Sequence, residues 1–129
     1  MSHFTTVETE IRDLAALRDA CKELGLELHD DAEARGYASA KMKADHVIRL
    51  KGPYDIAVNG NKAKGCYSLT TDWWNGHVEK EVGAGFARLT QLYAAHKVTR
   101  EARKRGHRVT RKRERDGAIR LVIQGGGLR

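Results

Sequence analysis

Leu14, Leu17, Cys21 and Leu24 recur every three or four residues, and Phe86, Leu89, Leu92, Tyr93 and Ala95 draw a second such arc far along the chain. Apolar residues at this spacing share one side of a helix. Each arc therefore predicts a helix with one buried face, and two one-sided helices need a common surface to cover. Asp13 offers a side-chain cap to the first helix and Gly25 a stop. The second runs from about Gly85 and should end at Gly106.

The common surface is a sheet, because the remaining apolar residues alternate. His3, Thr5, Val7, Thr9 and Ile11 oppose Phe4, Thr6, Glu8 and Glu10, a first strand with one face open to solvent. Leu26 and Leu28 begin a short strand, and Asp30 to Lys43 is polar and small and reads as an exposed excursion. Val47 to Leu50, Tyr54 to Val58 and Cys66 to Trp74 are further strand-prone runs. Asn59-Gly60, whose residues tolerate positive φ, is the expected hairpin turn between the last two. Val109 and the run Ile119, Leu121, Ile123 flank Asp116-Gly117, a second hairpin signal, and Gly125 to Gly127 reads as a flexible tail. The expected architecture is α+β: an antiparallel sheet of about six strands with two helices packed on one face, in the order strand, helix, strands, helix, hairpin.

At 129 residues the chain fits a single domain spanning 1–129, with no linker or repeat, large enough for a core without disulfides. No apolar run approaches the roughly 18 residues that cross a bilayer, so no membrane is expected. Met1 to Thr6 lacks a basic segment followed by an apolar one, which predicts the cytoplasm or an organelle interior. Cys21 and Cys66 have no metal or redox spacing and read as packed thiols.

Charge is the one strongly uneven property. Between Lys97 and Arg115, ten Lys and Arg oppose only Glu101 and Glu114, so this stretch carries +8 of a whole-chain +7. Such a field faces something acidic, a nucleic acid, a partner's acidic surface or an anionic membrane. The stretch divides into a helix end, Lys97 to Arg105, and a strand from Arg108. On that strand Arg111 and Arg113 share a face with Val109, while Arg108, Thr110 and Lys112 point the other way. Charge on both faces marks a sheet edge, where Lys and Arg also suppress aggregation. The segment has no aromatic residue, which disfavours stacking on single strands. The expected contacts are Arg100, Arg103, Lys104, Arg108, Arg111 and Arg113. Trp74 serves as an apolar anchor, because adjacent strand residues Trp73 and Trp74 face opposite ways and one is left near the surface.

No catalytic motif is present, no cofactor is expected, and Gly83 and Gly85 lack the rest of a phosphate-binding fingerprint. Two alternatives remain open beside the docking role. His3, His46, Asp72 and His96 are weak candidate metal ligands for a small metal-dependent enzyme, although their spacing matches no metal motif. His96 on the apolar arc reads equally as a hydrogen-bonded packing residue. An open edge strand also admits a structural, sheet-extending or homo-oligomeric role.

The opening Met1 to Val7, the Ala44-Asp45-His46-Val47-Ile48 step, Tyr54-Asp55-Ile56, Asp72-Trp73, Phe86 with Leu89, Tyr93-Ala94 and the closing Asp116 to Ile123 together resemble a known family over nearly the whole chain. It is the hypothetical chloroplast reading frame thirty-five family, a domain of unknown function from cyanobacteria, algal plastids, other bacteria and some phages. The resemblance implies no activity, cofactor or catalytic residue. It implies companionship with other small proteins and with ATPases, which shifts weight toward a binding role. Compared with that family, this chain looks shorter around Asn59 to Gly65 and more basic near its end.

Overall fold

The structure, a computed structural model, describes residues 3–125. Seven strands and two long helices follow one another as expected. β1 is Phe4–Glu8, α1 Leu14–Glu23, β2 Glu27–Arg35, β3 Lys41–Arg49, β4 Ile56–Asn61 and β5 Cys66–Asp72. A single helical turn, α2, covers Glu79–Val82, and α3 covers Ala87–Lys104. β6 (Arg108–Arg113) and β7 (Ile119–Gln124) close the described chain. The tail expected at Gly125 to Gly127 lies, beyond Gly125, outside the described residues.

The fold is α+β, and its strands divide into two sheets. Five form an antiparallel sheet in the order β1-β5-β4-β3-β2, and β6 and β7 pair only with each other. Both helices cover one face of the larger sheet. Ala16, Leu17, Ala20 and Cys21 of α1 and Leu89, Leu92 and Tyr93 of α3 share a buried core with Leu28, Ile48, Ile56, Val58 and Leu69 of the strands. The two helices are also stitched together by a hydroxyl. Tyr93 Oη of α3 accepts from the backbone N–H of Arg12 (3.0 Å) and Asp13 (3.1 Å) at the start of α1, two donors with no partner inside that helix.

The expected helix signals act as they should. Asp13 Oδ1 accepts from Ala16 N at 3.1 Å, and Gly25 in the left-handed region (φ 76°) lets Leu26 N reach Cys21 O at 2.8 Å, closing α1. Gly106 (φ 78°) closes α3 in the same way.

Two expectations need correction. The segment from Asp30 to Lys43 is not an excursion but the far end of a long hairpin, β2 with β3, whose register runs from Glu27↔Arg49 to Arg35↔Lys41. A positive φ at Asp31 (46°) bends β2. Beyond it Ala34 and Ala44 are buried against Val47 and Ala57, a second small core separate from the one under the helices. Alanines at these positions look unlike a strand in sequence, yet here they are buried strand residues. At the tip, Gly36 lies against Phe4 of β1: a Cβ there would come within 2.6 Å of the Phe4 ring. Edge strands β1 and β2 thus approach each other although they do not pair.

The second correction concerns Asn59-Gly60. Both residues lie within β4, paired with Ser68 and Tyr67, and the turn falls at residues 62–65. Asn61 makes the difference: its Oδ1 accepts from Ala63 N (3.0 Å) and Lys64 N (3.3 Å), while Gly65 takes the positive φ (70°). Asp116-Gly117 behaves as expected, with Gly117 at φ 88° and Glu114 N bonded to Ala118 O at 2.8 Å.

Candidate functional site

Gly106 turns the chain so that β6 returns along α3, and the basic stretch becomes one continuous surface of helix end and hairpin. The β6-β7 hairpin packs on α3, and Ile119 reaches the main core. Gln91 Nε2 of α3 holds the hairpin turn by donating to Gly117 O at 3.2 Å. The register Val109↔Ile123, Arg111↔Leu121, Arg113↔Ile119 puts these six residues on one face, and Arg108, Thr110, Lys112, Arg120, Val122 and Gln124 on the other.

Three of the ten cations are neutralised inside the molecule. Arg100 Nε binds Asp19 Oδ2 at 2.6 Å, Arg111 binds Glu23 at 2.7 Å, and Lys97 comes within 4.0 Å of Asp13. All three carboxylates belong to α1 or its cap. The Arg100 hydrogen bond holds the Asp19 carboxyl below its usual range against some burial, and Arg111 does the same for Glu23 with help from His96. Arg100 thus explains why charge can replace the apolar arc on α3: the last turns lie against the side of α1 that carries Asp19 and Glu23. Lys104 has Glu101 one turn away, at 3.7 Å. Arg103, Arg105, Arg108, Lys112, Arg113 and Arg115 form no ion pair with described residues. All six side chains are exposed.

The expected contacts therefore fall into two groups. Arg103, Lys104, Arg108 and Arg113 face solvent, whereas Arg100 and Arg111 are tied to α1. Arg120 was missed by the sequence reading, which stopped at Arg115. Cross-strand register brings it directly opposite Lys112, with Glu114 3.6 Å away. Trp74 belongs to another surface. Half-buried Trp73 packs against the core at a tilt on Phe86 (centroids 4.7 Å apart), while Trp74 is 44% exposed and packs edge-on against Tyr37 at 5.6 Å. Buried Asp72 accepts from the backbone N–H of Tyr37 (3.1 Å) and Trp74 (3.0 Å), which fixes this aromatic pair.

The four candidate ligands do not assemble. His46 is bonded to Asp30 (2.7 Å) and His96 to Glu23 (2.7 Å), Asp72 serves the loop just described, and His3 is exposed ahead of β1. Among the described residues no group of three or more His, Cys, Asp or Glu is placed to hold a metal ion.

A residue that sequence reasoning did not single out carries the most concentrated electrostatics. Asp55, fully buried, receives five hydrogen bonds: on Oδ1 from Arg35 Nη2 (2.8 Å) and Leu50 N (3.1 Å), on Oδ2 from Arg35 N (2.9 Å), Arg35 Nε (2.9 Å) and Arg49 Nη1 (2.7 Å). Burial pushes its pKa up, but the Arg35 side chain, the two backbone donors and the Arg35 charge outweigh that and hold the carboxyl low. Every lone-pair direction is occupied, so this is a clamp on the β2-β3 hairpin rather than a reactive acid. Cys21 is equally unavailable, since burial pushes its thiol to about 12.

The chain is similar to proteins of plastid-bearing organisms. The protein named "Uncharacterized protein ycf35" of Guillardia theta is 29% identical over 126 residues, covering 96% of this chain and 97% of the relative. Those of Pyropia yezoensis and Cyanophora paradoxa, under the same name, are each 27% identical over the same shares. No solved structure matches the chain. No helix among the described residues is long and apolar enough to cross a membrane. The family model described as "Protein of unknown function (DUF1257)" matches residues 20–122, from within α1 to within β7, and the chain belongs to that family.

Proposed function

We propose that this protein is a non-enzymatic binding protein that docks an acidic partner through the end of α3 and the outward face of the β6-β7 hairpin. The observation that carries this reading is the pairing of Lys112 directly opposite Arg120, beside unpaired Arg108, Arg103 and Arg105. Like charges directly opposed across two strands destabilise a hairpin by up to about 1 kcal/mol. α1 neutralises the inner cations Lys97, Arg100 and Arg111; on the outer side only Glu114 beside Arg120 and Glu101 beside Lys104 offset the charge, and Arg103, Arg105, Arg108 and Lys112 keep no ion pair among the described residues. An external anion removes that repulsion, so binding is strengthened by what the free protein lacks.

Edge protection explains charge on the strands but not Arg103 and Arg105, which lie at the end of α3 and on no strand edge. The test is retention on immobilised heparin and on poly-glutamate. The unaltered chain is held at low salt and released as salt rises, and Arg103→Glu with Arg108→Glu and Lys112→Glu abolishes retention. Undiminished retention of that folded triple variant would sink the reading.

A further inference from the structure

We infer that the partner is duplex DNA of the B form, with the β6-β7 ribbon in its major groove and the flanking cations on the phosphates. This rests on the reading above, that the basic surface docks a polyanion, and goes on to specify which one.

Shape comes first. β6 and β7 are isolated from the main sheet, so the hairpin is a ribbon only two strands wide. A groove about 12 Å across admits such a ribbon. Its six-residue strands extend about 20 Å at 3.3 Å per residue, enough to follow the groove. The inner face is anchored by Arg111 on Glu23, Ile119 in the core and the Gln91 bond at the turn. The outer face is thereby presented on a fixed support.

Chemistry follows. The outward face carries Arg108, Thr110, Lys112, Arg120 and Gln124, side chains that hydrogen-bond base edges or phosphates, and one apolar residue, Val122. Cations sit at both ends of the ribbon: Arg103 and Arg105 where α3 ends, Arg115 in the opposite turn. That places positive charge on either side of whatever occupies the ribbon. An acidic protein would call for a buried aromatic or apolar anchor at the centre. Trp74 packs on Tyr37 instead, and the face offers only Val122. Single strands need aromatic platforms, which this surface lacks. A-form RNA closes its major groove to side chains.

The experiment measures anisotropy of four labelled probes with the full chain: a short DNA duplex, the same sequence as duplex RNA, one DNA strand alone, and poly-glutamate. Duplex DNA is expected to bind at least about tenfold tighter than the other three. About five phosphate contacts give a log-affinity against log-salt slope of about −4.5, a loss on the order of 500-fold between 50 and 200 mM salt. The variant Arg108→Glu, Lys112→Glu, Arg120→Glu is expected to bring that slope to about −2. A charge-matched variant with Lys41→Glu, Lys43→Glu and Lys62→Glu, all exposed on β3 or the β4-β5 turn of the larger sheet, keeps the original slope if the ribbon is the contact. If duplex RNA, the single strand or poly-glutamate binds as tightly as duplex DNA, or the ribbon variant keeps the full slope, the DNA assignment is overturned while polyanion docking stands. If none of the four probes binds, both readings fall.

Discussion

Replacing Asp55 by Asn is the sharpest test of how the far end of the β2-β3 hairpin is held. The amide matches the carboxylate in shape but has one accepting oxygen and one donating NH2. If the NH2 faces the Oδ1 donors, Arg35 Nη2 and Leu50 N lose their acceptor; if it faces the Oδ2 donors, Arg35 N, Arg35 Nε and Arg49 Nη1 lose theirs. At least two donors are therefore opposed by a donor, and the negative charge between two guanidinium groups is gone. Breaking a buried pair from one side costs about 3–5 kcal/mol. Arg35 and Arg49 side chains are 41% and 36% exposed and regain water, so the low end, about 3 kcal/mol, applies. With a urea slope of about 2 kcal/mol per M, the unfolding midpoint falls by about 1.5 M. The pH dependence adds a second readout. The folded carboxyl sits below its usual value, so its stabilisation is present above about pH 4, the unfolded range, and is lost as pH falls through the folded pKa. The gap between the unaltered chain and Asp55→Asn therefore narrows in acid. A variant within about 0.5 kcal/mol of the unaltered chain at neutral pH, or a gap that stays constant down to acid unfolding, would refute the clamp.

Three further outcomes follow from the same packing. Gly36→Ala puts a methyl within 2.6 Å of the Phe4 ring and is expected to lower stability by about 1–3 kcal/mol in thermal melts, with Phe4→Leu restoring most of it; no loss would mean that the hairpin tip does not rest on β1. Glu23→Gln releases Arg111 and weakens the His96 contact, so limited trypsin should cut after Arg111 to Arg115 several times faster while the global melt moves little. Since Arg111 is the main cause holding the Glu23 carboxyl low, amide exchange of β6 in the unaltered chain, corrected for the intrinsic pH dependence, should speed up once pH falls through that lowered pKa. Native Cys21 and Cys66 are buried, and burial holds the Cys21 thiol at about 12, so a thiol reagent at pH 8 should label neither within minutes and both in denaturant.

Local pattern was a sound guide where neighbours in sequence decide the outcome. Asp13, the Leu14 to Leu24 arc and Gly25 specify α1 without reference to anything distant, and Gly106 and Asp116-Gly117 likewise mark the end of α3 and the last turn. The basic segment was legible too, including its division into helix end and strand. Pattern misled where two local signals competed. Asn59-Gly60 has turn chemistry, but pairing of β4 with β5 extends two residues further, and Asn61 with Gly65 closes the hairpin at equal local ease. Asp30 to Lys43 is mostly exposed, as its polarity suggests, but it is paired strand: the β2-β3 register and the buried Ala34 and Ala44 depend on residues that no window of sequence contains.

By itself the chain order of helical and alternating periods determined an α+β fold with both helices on one face, since each period exposes one apolar side that must be covered. Tertiary structure alone decided which charges remain available. Arg111 meets Glu23 across 88 positions and Arg100 meets Asp19 across 81, so α1 neutralises three cations of the basic segment and the others stay exposed on the end of α3 and the ribbon. Only when distant segments are folded together does a Coulomb interaction between them become short enough to count, and composition, which sums charges without distances, carries no trace of it.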